Sequence, residues 1–178
     1  MSAEQAGVYK IIFAGPVGAG KTEAIRSLSD KPVVSTEESA SDDTKLLKKN
    51  TTVAMDYGIM KLATGEQVRL YGTPGQKRFD FMWEILSENA LGLVLLLNAT
   101  YADPVQDLHD YMQSFLPLIK SSSMVVGVTH SEQMPWDLHQ RLSDALVAQD
   151  LPAIVMPVDA RDKEQMTQLV TTLIYAII

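Results

Sequence analysis

Gly15-Pro16-Val17-Gly18-Ala19-Gly20-Lys21-Thr22 has the form GxxxxGK[ST], and what flanks it decides the fold. Before it, residues 8–14 form an apolar run suited to a buried strand; after it, residues 23–28 open a helix. A strand that turns through glycines into a helix N-terminus is suited to hold phosphate. The glycines let successive backbone N–H groups face inward, and the helix end adds partial positive charge. Gly15, Val17, Gly18, Ala19 and Gly20 would supply the cradle, with Glu23 in the first helical turn behind it. Lys21 would reach the outer phosphates, and the Thr22 hydroxyl would ligate Mg²⁺. These residues predict a nucleotide site at the end of the first strand.

Outward from the loop, strand-like and helix-like segments alternate, as in a mostly parallel sheet covered on both faces. Residues 52–62 alternate in polarity, Ala63-Thr64-Gly65 turns the chain, and residues 67–71 return, which predicts an antiparallel hairpin. Residues 91–97, 124–128 and 153–156 read as further buried strands. Asp103 before Pro104 is an N-cap with proline at the first helical position. Asp162 with Gln165 resembles a capping box. Met166, Leu169, Val170, Leu173, Ile174 and Ile177 then make one helical stripe, expected to pack on the sheet. Residues 30–50 are polar and the least core-like. The expected fold is α/β: a three-layer P-loop NTPase sandwich of about six strands, one an antiparallel edge strand, with residues 1–178 forming a single domain.

Composition narrows the function. At 178 residues the chain can bury a full core. It has no cysteine, which excludes disulfides, thiol nucleophiles and zinc-cysteine clusters. The net charge is −7, from 22 acidic and 15 basic residues, which argues against nucleic acid or anionic lipid as partner. The first residues are polar, Ser2 stands where myristoylation needs glycine, and no apolar run is long enough to span a bilayer. A cytoplasmic protein without a direct membrane anchor is expected.

The order of features beyond the loop resembles the Ras-like small GTPases along essentially the whole chain. Thr52, with Thr51 as competitor, is similar to the switch threonine that closes onto Mg²⁺ and the γ-phosphate. Tyr71-Gly72-Thr73-Pro74-Gly75-Gln76 resembles the Asp-x-x-Gly-Gln switch, in which Gly75 would present its N–H to the γ-phosphate and Gln76 would orient water. The metal-side Asp of that motif is replaced by Gly72; Asp56 on the neighbouring strand is the candidate substitute. Thr129-His130-Ser131-Glu132 stands where the family has Asn-Lys-x-Asp, so Glu132 would meet the guanine edge and His130 would lie against the base. Asp159-Ala160-Arg161 resembles Ser-Ala-Lys, whose alanine N–H meets guanine O6.

Gly72 and the Pro-Gly-Gln switch together look like the bacterial branch containing MglA-type polarity GTPases and their roadblock-associated relatives. The resemblance implies a GTP/GDP switch with Mg²⁺, a roadblock/light-chain-type regulator or other activating partner, and a role in polarity, motility or surface-appendage control. Val17, at a position where the family usually keeps glycine, implies slow intrinsic turnover. A nucleotide-binding pseudo-GTPase scaffold and a small-molecule P-loop kinase are the competing expectations.

Overall fold

The computed structural model of the chain describes residues 7–35, 55–75 and 80–177. Its elements follow in the order β1 (Val8–Ala14), α1 (Lys21–Leu28), β2 (Val34–Ser35), β3 (Asp56–Lys61), β4 (Gln67–Gly72), α2 (Asp80–Ser87), β5 (Gly92–Asn98), α3 (Pro104–Ser114), α4 (Leu116–Ser121), β6 (Met124–Thr129), α5 (Leu138–Ala148), β7 (Ile154–Pro157) and α6 (Lys163–Ile177). The strands make one sheet ordered β2-β3-β4-β1-β5-β6-β7. β1 pairs in parallel with β4 and β5, and the parallel ladder continues through β6 to β7. β3 runs antiparallel to both its neighbours.

The hairpin read from residues 52–71 is therefore present, with one correction. The antiparallel strand expected at the edge lies one place inside it, because β2 extends the sheet beyond β3. Two residues at the start of a polar segment carry no periodicity to read. With β4 on one side of β1 and β5 on the other, the chain changes winding direction at β1, and a crevice opens there at the C-terminal strand ends.

Helices cover both faces, so the central strands are apolar at every position instead of alternating. All residues of β5 and β6 are buried. On one face Ile12, Leu93, Leu95 and Leu97 pack with Trp83, Phe115 and Leu142; on the other, Ile11, Phe13, Val94 and Leu96 pack with Ile25, Leu28, Met166 and Leu169. The helix signals act as their chemistry requires. Asp103 accepts the Gln106 N–H at 3.0 Å. Asp162 accepts from the Gln165 backbone at 3.1 Å and from its side-chain amide at 3.2 Å, but the capping box is only half made, because Gln165 Oε1 accepts the Asp159 N–H at 2.8 Å instead of the Asp162 N–H. Met166, Leu169, Val170 and Leu173 of the α6 stripe are buried and Ile174 is partly so, while the Ile177 side chain lies outside the described residues. Trp136, in the β6–α5 connection, is 94% exposed.

Leu173 fills the space over Gly92, where a Cβ would come within 2.9 Å of its Cδ1. Leu173→Ala therefore leaves a cavity that Gly92 has no side chain to fill. It should lower the unfolding free energy by about 2–5 kcal/mol, read as a fall in urea midpoint at constant m. A midpoint matching the parent's would contradict this packing.

Candidate functional site

The phosphate loop is shaped by its glycines and then fixed by side chains from neighbouring strands. Gly15, Gly18 and Gly20 have φ of 145°, 81° and 100°. Gly20 is the left-handed N-cap of α1, and a Cβ there would be strained and only 3.0 Å from the Ala160 Cβ. The Tyr101 hydroxyl donates to the Val17 carbonyl at 2.5 Å, the Asn98 amide to the Gly18 carbonyl at 3.0 Å, and the Thr129 hydroxyl to the Ala19 carbonyl at 2.8 Å. In a trans peptide the C=O and the following N–H point opposite ways, so gripping the Val17 and Ala19 carbonyls from outside turns the Gly18 and Gly20 amides inward, while the Ala19 N–H closes the loop's own turn on the Pro16 carbonyl at 3.1 Å.

Thr73, Asn98 and Thr129, at the ends of β4, β5 and β6, are the buried polar side chains among the described residues, and all three bond to backbone of β1 or of the loop. Neither Asn98 nor Tyr101 was picked out from sequence. The available signal was an amide ending an otherwise apolar strand.

Inside the loop, Lys21 Nζ donates to the Gly15 carbonyl at 2.5 Å and the Pro16 carbonyl at 2.9 Å. Burial holds its pKa down to about 8, against the pull of the Asp56 charge. The Thr22 hydroxyl donates to Asp56 Oδ2 at 2.5 Å. Asp56 stands directly across the ladder from Gly72, and a Cβ on Gly72 would lie 3.4 Å from the Asp56 Cβ. The carboxylate thus occupies space beside the one a residue-72 side chain would enter. Gly75 closes on the loop: a Cβ there would sit 2.7 Å from the Val17 nitrogen and 2.9 Å from Lys21 Nζ, too close for any other residue. Thr51, Thr52 and Gln76 lie outside the described residues.

Thr129, His130, Glu132, Asp159, Ala160 and Arg161 line one cleft of about 280 Å³ with Gly20 and Glu23. His130 adopts a left-handed φ of 54° leading into a 3₁₀ turn at Ser131–Gln133. Two of these residues are engaged elsewhere than a base would need. The Thr129 hydroxyl serves the Ala19 and Leu97 carbonyls. Asp159 takes the Arg161 Nε and a terminal guanidinium nitrogen at 3.0 Å each, which with the Arg161 backbone N–H holds its carboxyl down to about 2. Glu132 and His130 remain as exposed polar side chains on the cleft rim.

Among the described residues no three His, Cys, Asp or Glu side chains gather into a metal-binding group. No helix of the described residues is long and apolar enough to cross a membrane.

The sequence model of one protein family, described as "Conserved hypothetical ATP binding protein", matches residues 31–178, a span that includes Asp56, Gly75 and the β6 and β7 loops but begins beyond the phosphate loop. An uncharacterized protein of Methanocaldococcus jannaschii, MJ1339, is 27% identical over 119 residues, covering 67% of this chain and 66% of that protein. The crystal structure of the bacterial selenocysteine-specific elongation factor EF-Sec superposes with a TM-score of 0.64 at 16% identity, over 97% of this chain and 29% of that one. The chain thus spans just under two thirds of the first relative and less than a third of the second. The superposition establishes the P-loop NTPase fold.

The half-buried Lys21 should make phosphate binding pH-dependent. Below about 8 the lysine is charged in the folded chain and its burial penalty is fully present; the penalty is relieved as pH rises toward the ordinary value of 10.5. In that window the unfolded chain holds the extra proton, so stability rises with pH. A phosphate held against Lys21 would restore the charge, so nucleotide binding above about 8 should take up a proton and weaken as pH rises. Calorimetry at roughly pH 9 in buffers of different ionisation enthalpy should register uptake approaching about one proton, absent in Lys21→Arg. Equal uptake in both would remove Lys21 from this role.

Proposed function

The chain belongs to the family of conserved hypothetical ATP-binding proteins, and from that premise and the site geometry we propose that it is a Ras-like GTP/GDP switch with slow, partner-stimulated hydrolysis. The observation that carries this reading is the meeting of Thr22 and Asp56 at 2.5 Å beside Lys21. It brings the residue types of a nucleotide-Mg²⁺ site together although Gly72 supplies no carboxylate.

Hard oxygen donors suit Mg²⁺, which keeps several waters and takes phosphate oxygens as ligands. Thr22 would hold the ion directly, with Thr52 closing on it, and Asp56 would fix a coordinated water; the ion would neutralise charge developing on the phosphates. The loop amides and Lys21 stabilise the γ-phosphoryl oxygens as water attacks in line and GDP leaves. Gln76 is the residue proposed to place that water, and Val17, 59% exposed at the loop tip, crowds its approach. Residues 30–52 contain no arginine, so the charge an arginine would add must come from a partner. A roadblock/light-chain-type regulator and a role in polarity or motility in the cytoplasm complete the proposal; both rest on the resemblance to the MglA-type branch.

Guanine is supported by Glu132 on the cleft rim. A carboxylate accepts hydrogen bonds, and guanine offers two donors on that edge where adenine offers an acceptor and one donor. The family description favours a second reading, an ATP-binding protein. Competition binding separates them. GTP and GDP should outcompete ATP by at least about two decades, and Glu132→Ala should flatten the preference. Equal competition by ATP in the parent would overturn the guanine reading and leave the ATP reading standing.

The metal-side role of Asp56 has its own test. Asp56→Asn should weaken Mg²⁺-dependent nucleotide binding or hydrolysis by roughly one to two decades, while the urea midpoint stays near the parent's. Superimposable Mg²⁺ titrations would show that Asp56 is only a partner for Thr22.

A further inference from the structure

The Pro74–Gly75 segment is held by two aromatic side chains from two different helices. Trp83 of α2 donates its Nε1–H to the Pro74 carbonyl at 2.9 Å, and Tyr111 of α3 donates its hydroxyl to the next carbonyl, Gly75, at 3.2 Å. Both rings are buried, at 2% and 3% exposure. They stack on one another with centroids 5.1 Å apart, and Phe115 stacks on Trp83 at 5.2 Å. Burial pushes the Tyr111 phenol well above its ordinary range, reinforced by the Asp107 and Asp110 charges, so it stays a donor at any working pH.

The peptide between Pro74 and Gly75 is trans, as are all the described peptides. Its C=O and N–H therefore point in opposite directions, and whatever fixes the carbonyl fixes the amide. Trp83 draws the carbonyl into the core. On its other side Gly75 approaches the phosphate loop so closely that a Cβ would fall 2.7 Å from the Val17 nitrogen and 2.9 Å from Lys21 Nζ.

We propose that Trp83 and Tyr111 are positioning residues that set triphosphate-over-diphosphate preference: Trp83 locks the Pro74–Gly75 peptide with its N–H turned toward the γ-phosphate, and Tyr111, holding the carbonyl of the peptide that follows, fixes Gly75 from its other side. The inference rests on the reading, given above, that Gly75 meets that phosphate. The diphosphate lacks the group Gly75 would touch, so it binds through the loop, Lys21, the metal side at Thr22 and the base cleft, without Gly75. An amide free to rotate costs affinity only when there is a γ-phosphate to meet. Without the aromatic locks, binding a triphosphate must first order that peptide.

The test uses the full chain with Mg²⁺, a non-hydrolysable GTP analogue and GDP. Trp83→Phe keeps a buried ring and deletes the donor; Tyr111→Phe deletes only a hydroxyl, so one variant remains informative if the other folds poorly. Phe115→Leu disturbs the same stack without touching either carbonyl.

The ratio of triphosphate to diphosphate affinity should fall roughly tenfold in Trp83→Phe and about threefold in Tyr111→Phe, the scale of one net hydrogen bond. GDP affinity should hold steady in both, and Phe115→Leu should lower thermal stability with the ratio unchanged. A ratio unaltered in both donor variants, or lowered as much by Phe115→Leu, would reduce the aromatic pair to core packing. A parent that binds both nucleotides equally would overturn this inference and leave nucleotide binding intact. A parent that binds neither would remove the proposed function, and this inference with it.

Discussion

A loop that presents amides to an anion must do something with its carbonyls. Each carbonyl left unbonded away from water costs about 1–3 kcal/mol, and the loop reaches only Gly15 and Pro16 from within, through Lys21 and the Ala19 N–H. The remaining three are met from outside. Tyr101 and Asn98, just after and at the end of β5, and Thr129, at the end of β6, each take one carbonyl of the run Val17-Gly18-Ala19. Asn98 and Thr129 sit on strands whose other residues are apolar, so their positions are as fixed as the sheet itself, and Tyr101 follows three residues after Asn98. The pairing of β1 with β5 and of β5 with β6 is thus what gives the loop its shape. Alignment of the sheet comes first, and phosphate geometry follows from it.

The same dependence brings a carboxylate to Thr22 from the neighbouring hairpin strand. In the β3–β4 hairpin Asp56 faces Gly72 across the ladder, so the two positions share one patch of surface beside Thr22. A side chain on residue 72 would have to contend with Ile25 of α1, whose Cδ1 lies 3.0 Å from where its Cβ would be. Placing the acid on β3 and glycine on β4 keeps α1 close to the sheet and still brings an oxygen to the threonine. Register, not sequence position, determines which strand supplies the group.

Much of this architecture was legible because the deciding features are local. A glycine run between an apolar strand and a helix, a hairpin with alternating polarity and a capped C-terminal stripe each carry their own physical signature, and all three stand in the structure over the described residues. The sheet's outermost strand was not legible, since Val34–Ser35 is too short for any period. Several site residues could be named in advance because they fall within motifs: Lys21, Thr22, Gly75 and the residues around the 280 Å³ cleft. Asn98, Tyr101, Trp83 and Tyr111 could not. Their importance lies in hydrogen bonds across 80, 84, 9 and 36 residues of chain, which no spacing rule reaches. The Asp159–Arg161 pair shows the converse, residues selected by motif whose charges are spent on each other.

The contrast between the two tryptophans has an optical consequence. Trp83 is 2% exposed and Trp136 is 94% exposed, and the sequence contains only these two indoles. The chain's ultraviolet emission is therefore a sum of one shielded and one water-bathed fluorophore, separable by an aqueous quencher that reaches only the second. The shielded indole is hydrogen-bonded to the Pro74 carbonyl, beside the glycine nearest the loop. Its colour and lifetime are tied to the state of that peptide, so the chain carries a native, label-free spectroscopic gauge of its Pro74–Gly75 segment.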